Sequence, residues 1–321
     1  MKDAWGRTIE YVRLSLTDAC NFCCPYCRPA EITPQSQTQL LSVDEWMTIL
    51  GAFHHIGVKA VRLTGGEPLL YPHIEELLGR IKESGWFEDI SMTTNGSLLA
   101  SRAQRLKKFG LNRVNISLDS LETEAFAACV GKAGQLEPVL DGIRSAINAN
   151  FKSVKINTVL SRYWSDDEVK SLLQYVEKWP VVWRFIEYMP FQGDAFHGPT
   201  FDEWKEQLER VSGGSLTEVH SIYGFGPATY LALPSGKAVG FIFSMSHSYC
   251  DTCNRVRLTS DGQMRLCLLR DDEADLVSLV RNGASEETLA KHIERALQRK
   301  QERHDGIGME QPERPMWRIG G

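Results

Sequence analysis

No run of about 18 uninterrupted apolar residues occurs in the 321-residue sequence, so it offers no transmembrane helix. The N-terminus lacks the basic, apolar, small-residue order of a secretory signal, which points to the cytoplasm. Positive charge is not in surplus. A formal net charge of -5 argues against bulk nucleic-acid binding and leaves any anionic ligand to local arginines. Internal repeats and low-complexity tracts are absent, and 42% hydrophobic with 24% charged residues excludes a disordered chain. At this length one large α/β domain, or one domain with a substantial appendage, is expected.

What the chain does have is clustered cysteine. Six of its eight cysteines fall into two tight groups, and in a reducing compartment such grouping points to metal ligation rather than to disulfides. The first group lies in Thr17 to Pro29, TDACNFCCPYCRP, where Cys20, Cys24 and Cys27 form C-x3-C-x2-C just after an apolar run. Three thiolates on so short a loop can hold a four-iron cubane and leave one iron open for chemistry. Zinc is the alternative, but the only fourth ligand in the loop is Cys23, directly beside Cys24. A second register through Cys20, Cys23 and Cys27 exists, and Cys23 is read as a bystander. Cys129, in the apolar context AFAACV, reads as a core filler.

The second group is Cys250, Cys253 and Cys267, C-x2-C-x13-C. It fits a second open cubane, or a zinc ribbon with His247 as fourth ligand; the spacing leaves both open. Between these cysteines, Asn254-Arg255-Val256-Arg257 places two guanidinium groups on one face of an extended segment. Arginine forks match phosphate oxygens and carbonyl edges, although a solvated surface strand would carry the same pattern.

Strand-like runs at 11–16, 60–64, 89–92, 113–118, 154–159 and 181–187 alternate with helical stretches, among them one broken around residues 131–134. Capping boxes at Ser42-Val43-Asp44-Glu45, Ser165-Asp166-Asp167-Glu168 and Thr200-Phe201-Asp202-Glu203 mark helix starts. Six such repeats imply a parallel sheet with its chemistry at the C-terminal strand ends. Past Pro190 the pattern changes to shorter strand-like pieces at 229–233 and 239–243 and a charged helix at 286–303. Two regions are therefore expected, 1–190 and 191–321. Gly65-Gly66-Glu67-Pro68 follows a strand, where bare backbone can approach a small ligand and Glu67 supplies a carboxylate suited to an ammonium group.

The cysteine loop, with Tyr26 between its last two cysteines, and the GGEP turn together resemble the radical S-adenosylmethionine (SAM) superfamily. That resemblance implies a partial (β/α)6 TIM-like barrel and a 4Fe-4S cluster on Cys20, Cys24 and Cys27 whose open iron chelates SAM. It also implies cleavage of SAM to the 5′-deoxyadenosyl radical, and cofactor contacts from Tyr26, Gly65, Gly66, Glu67, Ser117 and Met189.

The C-terminal block is similar to that of a narrower family, molybdenum-cofactor biosynthesis protein A, the GTP 3′,8-cyclases. The likeness is carried by C-x2-C-N-R-x-R-x-T with Cys267, by RFIEYM from Arg184 to Met189, by Lys155-Ile156-Asn157 and by the closing Gly320-Gly321. It runs from about residue 5 to the last residue. It implies a second 4Fe-4S cluster on Cys250, Cys253 and Cys267 facing guanine, and GTP held by Arg13, Arg62, Thr93, Lys155, Arg184, Arg255 and Arg257. Arg255, Arg257, Gly320 and Gly321 take the catalytic roles. It further implies a flavodoxin or ferredoxin as reductant, a downstream pterin-forming enzyme, neither nucleic acid nor membrane as partner, and a homodimer as an assembly to test.

Some positions depart from the family pattern. Ala60 stands where the family has lysine, with Lys59 one residue off and facing the other way in a strand. Tyr71 and His73 replace the usual arginine and aspartate, and Ala19, Cys23 and Arg28 differ in the cluster loop. The alternative function is a radical SAM paralogue acting on another substrate such as a peptide. Outside catalysis, the alternative is an electron carrier or zinc-stabilised binding protein.

Overall fold

The computed structural model describes residues 1–27, 40–131, 136–190, 196, 198–219, 224–304 and 314–320. In chain order the first part runs β1 (Tyr11–Ser15), α1 (Val43–His55), β2 (Ala60–Thr64), α2 (Ile74–Ser84), β3 (Asp89–Thr94), α3 (Ala103–Lys108), β4 (Arg113–Ser117), α4 (Thr123–Val130), α5 (Leu136–Asn148), β5 (Ser153–Val159), α6 (Asp166–Lys178), β6 (Val182–Ile186) and α7 (Phe201–Ser212). The remainder holds β7 (Thr217–Glu218), β8 (Thr229–Ala232), β9 (Ala238–Ile242), β10 (Arg255–Leu258), β11 (Gln263–Arg265), β12 (Glu273–Asp275), α8 (Val277–Arg281) and α9 (Glu286–Leu297).

The helix starts follow the sequence closely. Ser42, Ser165 and Thr200 each cap their helix while Glu45, Glu168 and Glu203 reach back to the cap backbone, so orphan N–H groups are met at both positions. Trp46, Ile49, Leu50 and Phe53 form the buried stripe of α1. The long helical region splits as expected, with α4 stopping at Gly131 in the left-handed region. The charged helix ends earlier than expected, at Leu297. Beyond it the Arg7 guanidinium donates to the carbonyls of Gln301 at 2.7 Å and Glu302 at 2.6 Å, tying that backbone to the N-terminal segment.

Among the described residues twelve strands form one sheet, ordered β12-β11-β10-β1-β2-β3-β4-β5-β6-β9-β8-β7. The six β/α repeats supply the parallel strands β1 to β6, in sequential order. Two further parallel strands flank them: β10 pairs with β1 and β9 with β6. Residues beyond 190 therefore extend both edges of the barrel sheet, and antiparallel β11, β12, β8 and β7 finish it.

Strand alternation divides the sheet into two unlike faces. Val12, Leu14, Val61, Leu63, Val114, Ile116, Trp183, Phe185, Val239 and Phe241 belong to the main core with the inner faces of the helices. The other face carries Tyr11, Arg13, Arg62, Asn115, Asn157, Arg184, Arg255 and Arg257, which the register lays side by side across neighbouring strands. A parallel sheet normally buries apolar side chains on both faces. A buried face made of arginine and asparagine is a site.

Candidate active site

Two adjoining cavities open on that polar face. The larger, of about 210 Å³, is lined by Cys20, Cys24 and Cys27 at one end and by Arg13, Arg62, Arg184, Arg255 and Arg257 along its wall. The smaller, of about 60 Å³, is lined by Cys250, Cys253 and Cys267. Met189, Tyr249, Arg255, Arg257 and Leu268 line both. The two cysteine trios therefore stand at two ends of one chamber, with the arginines between them.

The first trio is set by a backbone zipper between the cysteine loop and the GGEP turn. Gly66 N–H donates to Thr17 O at 2.7 Å, and Glu67 N–H to Ala19 O at 2.8 Å. A Cβ on Gly66 would strike the Ala19 carbonyl oxygen, so only glycine allows this approach. Cys23 turns elsewhere: its N–H bonds Val130 O at 2.9 Å, and Gly131 packs against its backbone and Cβ. Burial, then the neighbouring Cys27, Asp119 and Cys20, push the Cys24 thiol well up.

Glu67 is wholly buried and lies behind the cavity lining. Its carboxylate accepts from Leu69 N at 3.0 Å, Thr94 Oγ1 at 2.7 Å and Asn95 N at 2.7 Å. Burial pushes it up to about 7 against those bonds. Glu67 thus ties the GGEP turn to the end of β3. Tyr26 is anchored similarly, with its hydroxyl donating to Asp119 Oδ2 at 2.6 Å while Asp119 Oδ1 accepts from Val159 N at 2.8 Å. Burial raises Asp119 to about 6.

The second trio sits in a more cationic setting. Cys250 begins a short 3-10 turn that places Cys253, and Cys267 follows β11. Burial raises the Cys250 thiol, but hydrogen bonding by His304 and Ser248 outweighs it and brings it to about 6. For Cys253 burial is likewise outweighed, by Lys300 and Arg255. Lys300, 4% exposed, lines the cavity and donates to the Leu266 carbonyl. His247 does not join this group; its ring stacks on Phe201 at 5.0 Å. Among the described residues no three His, Cys, Asp or Glu side chains gather tightly enough for one metal ion. Each trio lines a hollow instead, which suits a cluster better than a single ion.

Along the wall, Arg184 donates to Asn157 Oδ1 at 2.9 Å and Asn115 Oδ1 at 2.7 Å, and burial lowers it to about 10. Arg62 donates to Ser91 Oγ at 3.2 Å. Lys155 lies deeper, outside the lining, with its ammonium 3.5 Å from the Tyr230 hydroxyl. Burial, then Arg184, Arg113 and Arg62, bring it down to about 5. Arg257 is lowered to about 10, first by burial, and its Nη1 donates to Gly320 O at 2.6 Å. Arg255 stacks 5.1 Å over Tyr249.

Of the residues singled out in the sequence, Tyr26, Gly65, Gly66, Thr93, Ser117 and Met189 also line the larger cavity. Gly321 and Arg28 lie outside the described residues. Sequence reading passed over Tyr11, Asp119, Tyr249, Lys300 and His304; the last two stand in a charged run that carries no local mark of a site. Lys59 is exposed and pairs with Glu10 at 3.5 Å. Ala60 is fully buried. Tyr71 bonds the Leu41 carbonyl at 2.9 Å, and His73 stands near Glu76 at 3.4 Å on the surface.

Comparison with known proteins matches residues 14–176 to the Radical SAM superfamily and 181–306 to Molybdenum Cofactor Synthesis C. The chain is 38% identical over 326 residues to a GTP 3′,8-cyclase of Pelotomaculum thermopropionicum, covering 100% of both chains. It is 39% identical over 329 residues to that of Heliobacterium modesticaldum, again covering 100% of both. It is 37% identical to molybdenum cofactor biosynthesis protein 1 of Mus musculus, covering all of this chain and 51% of that protein. Streptococcus suis SuiB bound to S-adenosylmethionine shares the fold, with a TM-score of 0.63 at 16% identity over 85% of this chain and 65% of SuiB.

Proposed function

Since this chain belongs to the radical SAM superfamily and, within it, to the GTP 3′,8-cyclase family, we propose that its two-ended chamber converts GTP to (8S)-3′,8-cyclo-7,8-dihydroguanosine 5′-triphosphate in molybdenum-cofactor synthesis. The observation that carries this is the pair of cysteine trios at opposite ends of one arginine-walled chamber. Its cofactors are SAM and iron–sulfur clusters, and the residues present fit them: three thiols border each cavity, with glycine backbone beside the first.

When bound and reduced, the first cluster with SAM supplies the adenosyl radical that takes hydrogen from the ribose 3′ carbon, and attack on purine carbon 8 follows. We assign Cys20, Cys24 and Cys27 to that 4Fe-4S cluster and Cys250, Cys253 and Cys267 to a second. Gly65, Gly66, Ser117, Tyr26 and Met189 border the SAM position. Glu67, behind the lining, fixes the Gly65-Gly66 turn, so that the turn's backbone meets the methionine end of SAM.

A triphosphate carries about four negative charges and this protein is acidic overall, so local cations must hold it. Arg13, Arg62, Arg184, Arg255 and Arg257 do so from the cavity wall, with Lys155 adding its charge from behind them and with Thr93, whose buried hydroxyl has no hydrogen-bond partner among the described residues. Arg255 and Arg257 stand between the two trios and orient the purine and ribose, and Arg257 with Gly320 closes the site against water, a role the family resemblance extends to Gly321. Residues 1–190 form the SAM-cleaving core, and 191–321 bring the second cluster and the tail. No described helix is long and apolar enough to cross a membrane. We place the enzyme in the cytoplasm, reduced by a flavodoxin or ferredoxin and handing its product to a pterin-forming enzyme, with a homodimer as the assembly to test.

The test is transfer of deuterium from GTP labelled at the ribose 3′ carbon into 5′-deoxyadenosine, with anaerobic, reconstituted, reduced enzyme. Label in that product establishes substrate and abstraction site together. Unlabelled product alone would mean a different substrate.

A further inference from the structure

We propose that the Tyr11 hydroxyl is a further substrate-binding group of the chamber, donating a hydrogen bond to an oxygen of the bound triphosphate. This rests on the GTP reading above and adds to it. Tyr11 opens β1 on the polar face, in register with Arg255 on one side and Ala60 on the other. It lines the larger cavity and is 1% exposed, yet its hydroxyl oxygen is buried with no hydrogen-bond partner among the described residues. A buried tyrosine hydroxyl usually has a partner, so a bare one facing a cavity calls for a cause.

The cause lies in the neighbours. The Arg62 guanidinium rests over the Tyr11 ring at 5.2 Å, Arg13 stands two residues along the same strand face, and Arg184 and Arg257 interact with Tyr11 electrostatically. Guanidinium groups only donate. The phenol can accept from them, but its own proton finds no acceptor until an anion enters. At the register position beside it, where the resembled family carries lysine, Ala60 presents only a methyl group. Tyr11 also lies one side-chain step deeper than Arg13, roughly 7 Å farther from the C-terminal strand end that carries the Cys20, Cys24 and Cys27 loop, and level with Arg255, two residues past Cys253. In a corner lined by Arg13, Arg62, Arg184, Arg255 and Arg257, the acceptor best suited to the phenol proton is an anionic oxygen, as on a phosphate tail.

The experiment is calorimetric binding of inorganic tripolyphosphate, GTP and guanosine to wild-type and Tyr11→Phe holoprotein of matched iron content and melting temperature. Phenylalanine keeps the ring and its contact with Arg62 and removes only the hydroxyl. Affinity for tripolyphosphate and for GTP should fall by the same factor, roughly tenfold, the weight of one hydrogen bond to a charged group, while guanosine is unaffected. Equal tripolyphosphate affinity in the two proteins would overturn the proposal, as would wild-type protein that binds no tripolyphosphate. If tripolyphosphate binding depends on Tyr11 and GTP does not bind, the hydroxyl's role stands and the substrate reading fails.

Discussion

Arg257 donates from Nη1 to the carbonyl oxygen of Gly320 at 2.6 Å, joining residues 63 positions apart. Gly320 has φ +70°, and a Cβ there would come within 2.5 Å of Thr64 Oγ1. Both tail and strand β2 are thereby held against the arginine that faces the two cavities.

Gly320→Ala should therefore undock the tail. The left-handed backbone costs a non-glycine residue about 1–2 kcal/mol, and the clash adds to it, so kcat should drop roughly tenfold or more. Iron content should hold, because residues 314–321 carry no cysteine, while the melting temperature should fall as Met316, Trp317 and Ile319 lose burial. Unchanged turnover would show that the docked tail plays no part in the reaction.

The cysteines separate by position. Cys24→Ala and Cys253→Ala should each lose about half the iron of the doubly loaded protein, because each trio holds one cluster. Cys23→Ala should keep all of it, since Cys23 faces Val130 and Gly131. Iron and sulfide analysis after identical reconstitution decides; iron loss in Cys23→Ala would mean the alternative register.

Lys155 trades stability for binding. Its folded value of about 5 lies far below the ordinary lysine value, so the sign is that of a depressed group. Folding is favoured above the unfolded value and loses that support as pH falls towards 5. At pH 7 the burial already costs stability. Lys155→Met should raise the melting temperature, by roughly 2 °C per kcal/mol recovered, and weaken GTP binding at least tenfold. A lower melting temperature would mean that Lys155 is a net structural support.

The same residue predicts a proton linkage. With Lys155 near 5 before binding, its amine is neutral at pH 7, and a triphosphate in the cavity in front of it favours the charged form. GTP binding at pH 7 should take up protons, and its affinity should fall as pH rises. Calorimetry in two buffers of different ionisation enthalpy measures this, and zero uptake would show that Lys155 does not pair with phosphate.

Lys59 is the control for the missing lysine. It is exposed and its ammonium pairs with Glu10 at 3.5 Å, an arrangement worth little. Lys59→Ala should leave GTP affinity within about twofold of wild type, the scatter expected of surface changes. A larger loss would mean that Lys59 reaches into the chamber after all.

Much of this molecule is written locally. The capping boxes at Ser42, Ser165 and Thr200 specify helix starts because each needs only four adjacent residues to satisfy backbone donors. The six strand and helix repeats follow from side-chain periodicity, and both cysteine trios follow from spacing within one loop or hairpin. Even the uselessness of Lys59 follows from strand alternation.

What lies far apart in the chain was decided only by tertiary structure. Nothing near Arg255 or Val239 reveals that β10 would pair with β1 and β9 with β6, because pairing between distant strands depends on the whole sheet's packing and loop closure. Yet that pairing makes two cysteine trios into one chamber. It sets Tyr11 between Arg255 and Ala60, brings Lys300 beside Cys253, and puts His304 rather than His247 beside Cys250. Sequence by itself determined the chemical parts and the local elements that carry them. The fold decided which parts share a cavity, since the register of a sheet converts positions hundreds of residues apart into neighbours on one face.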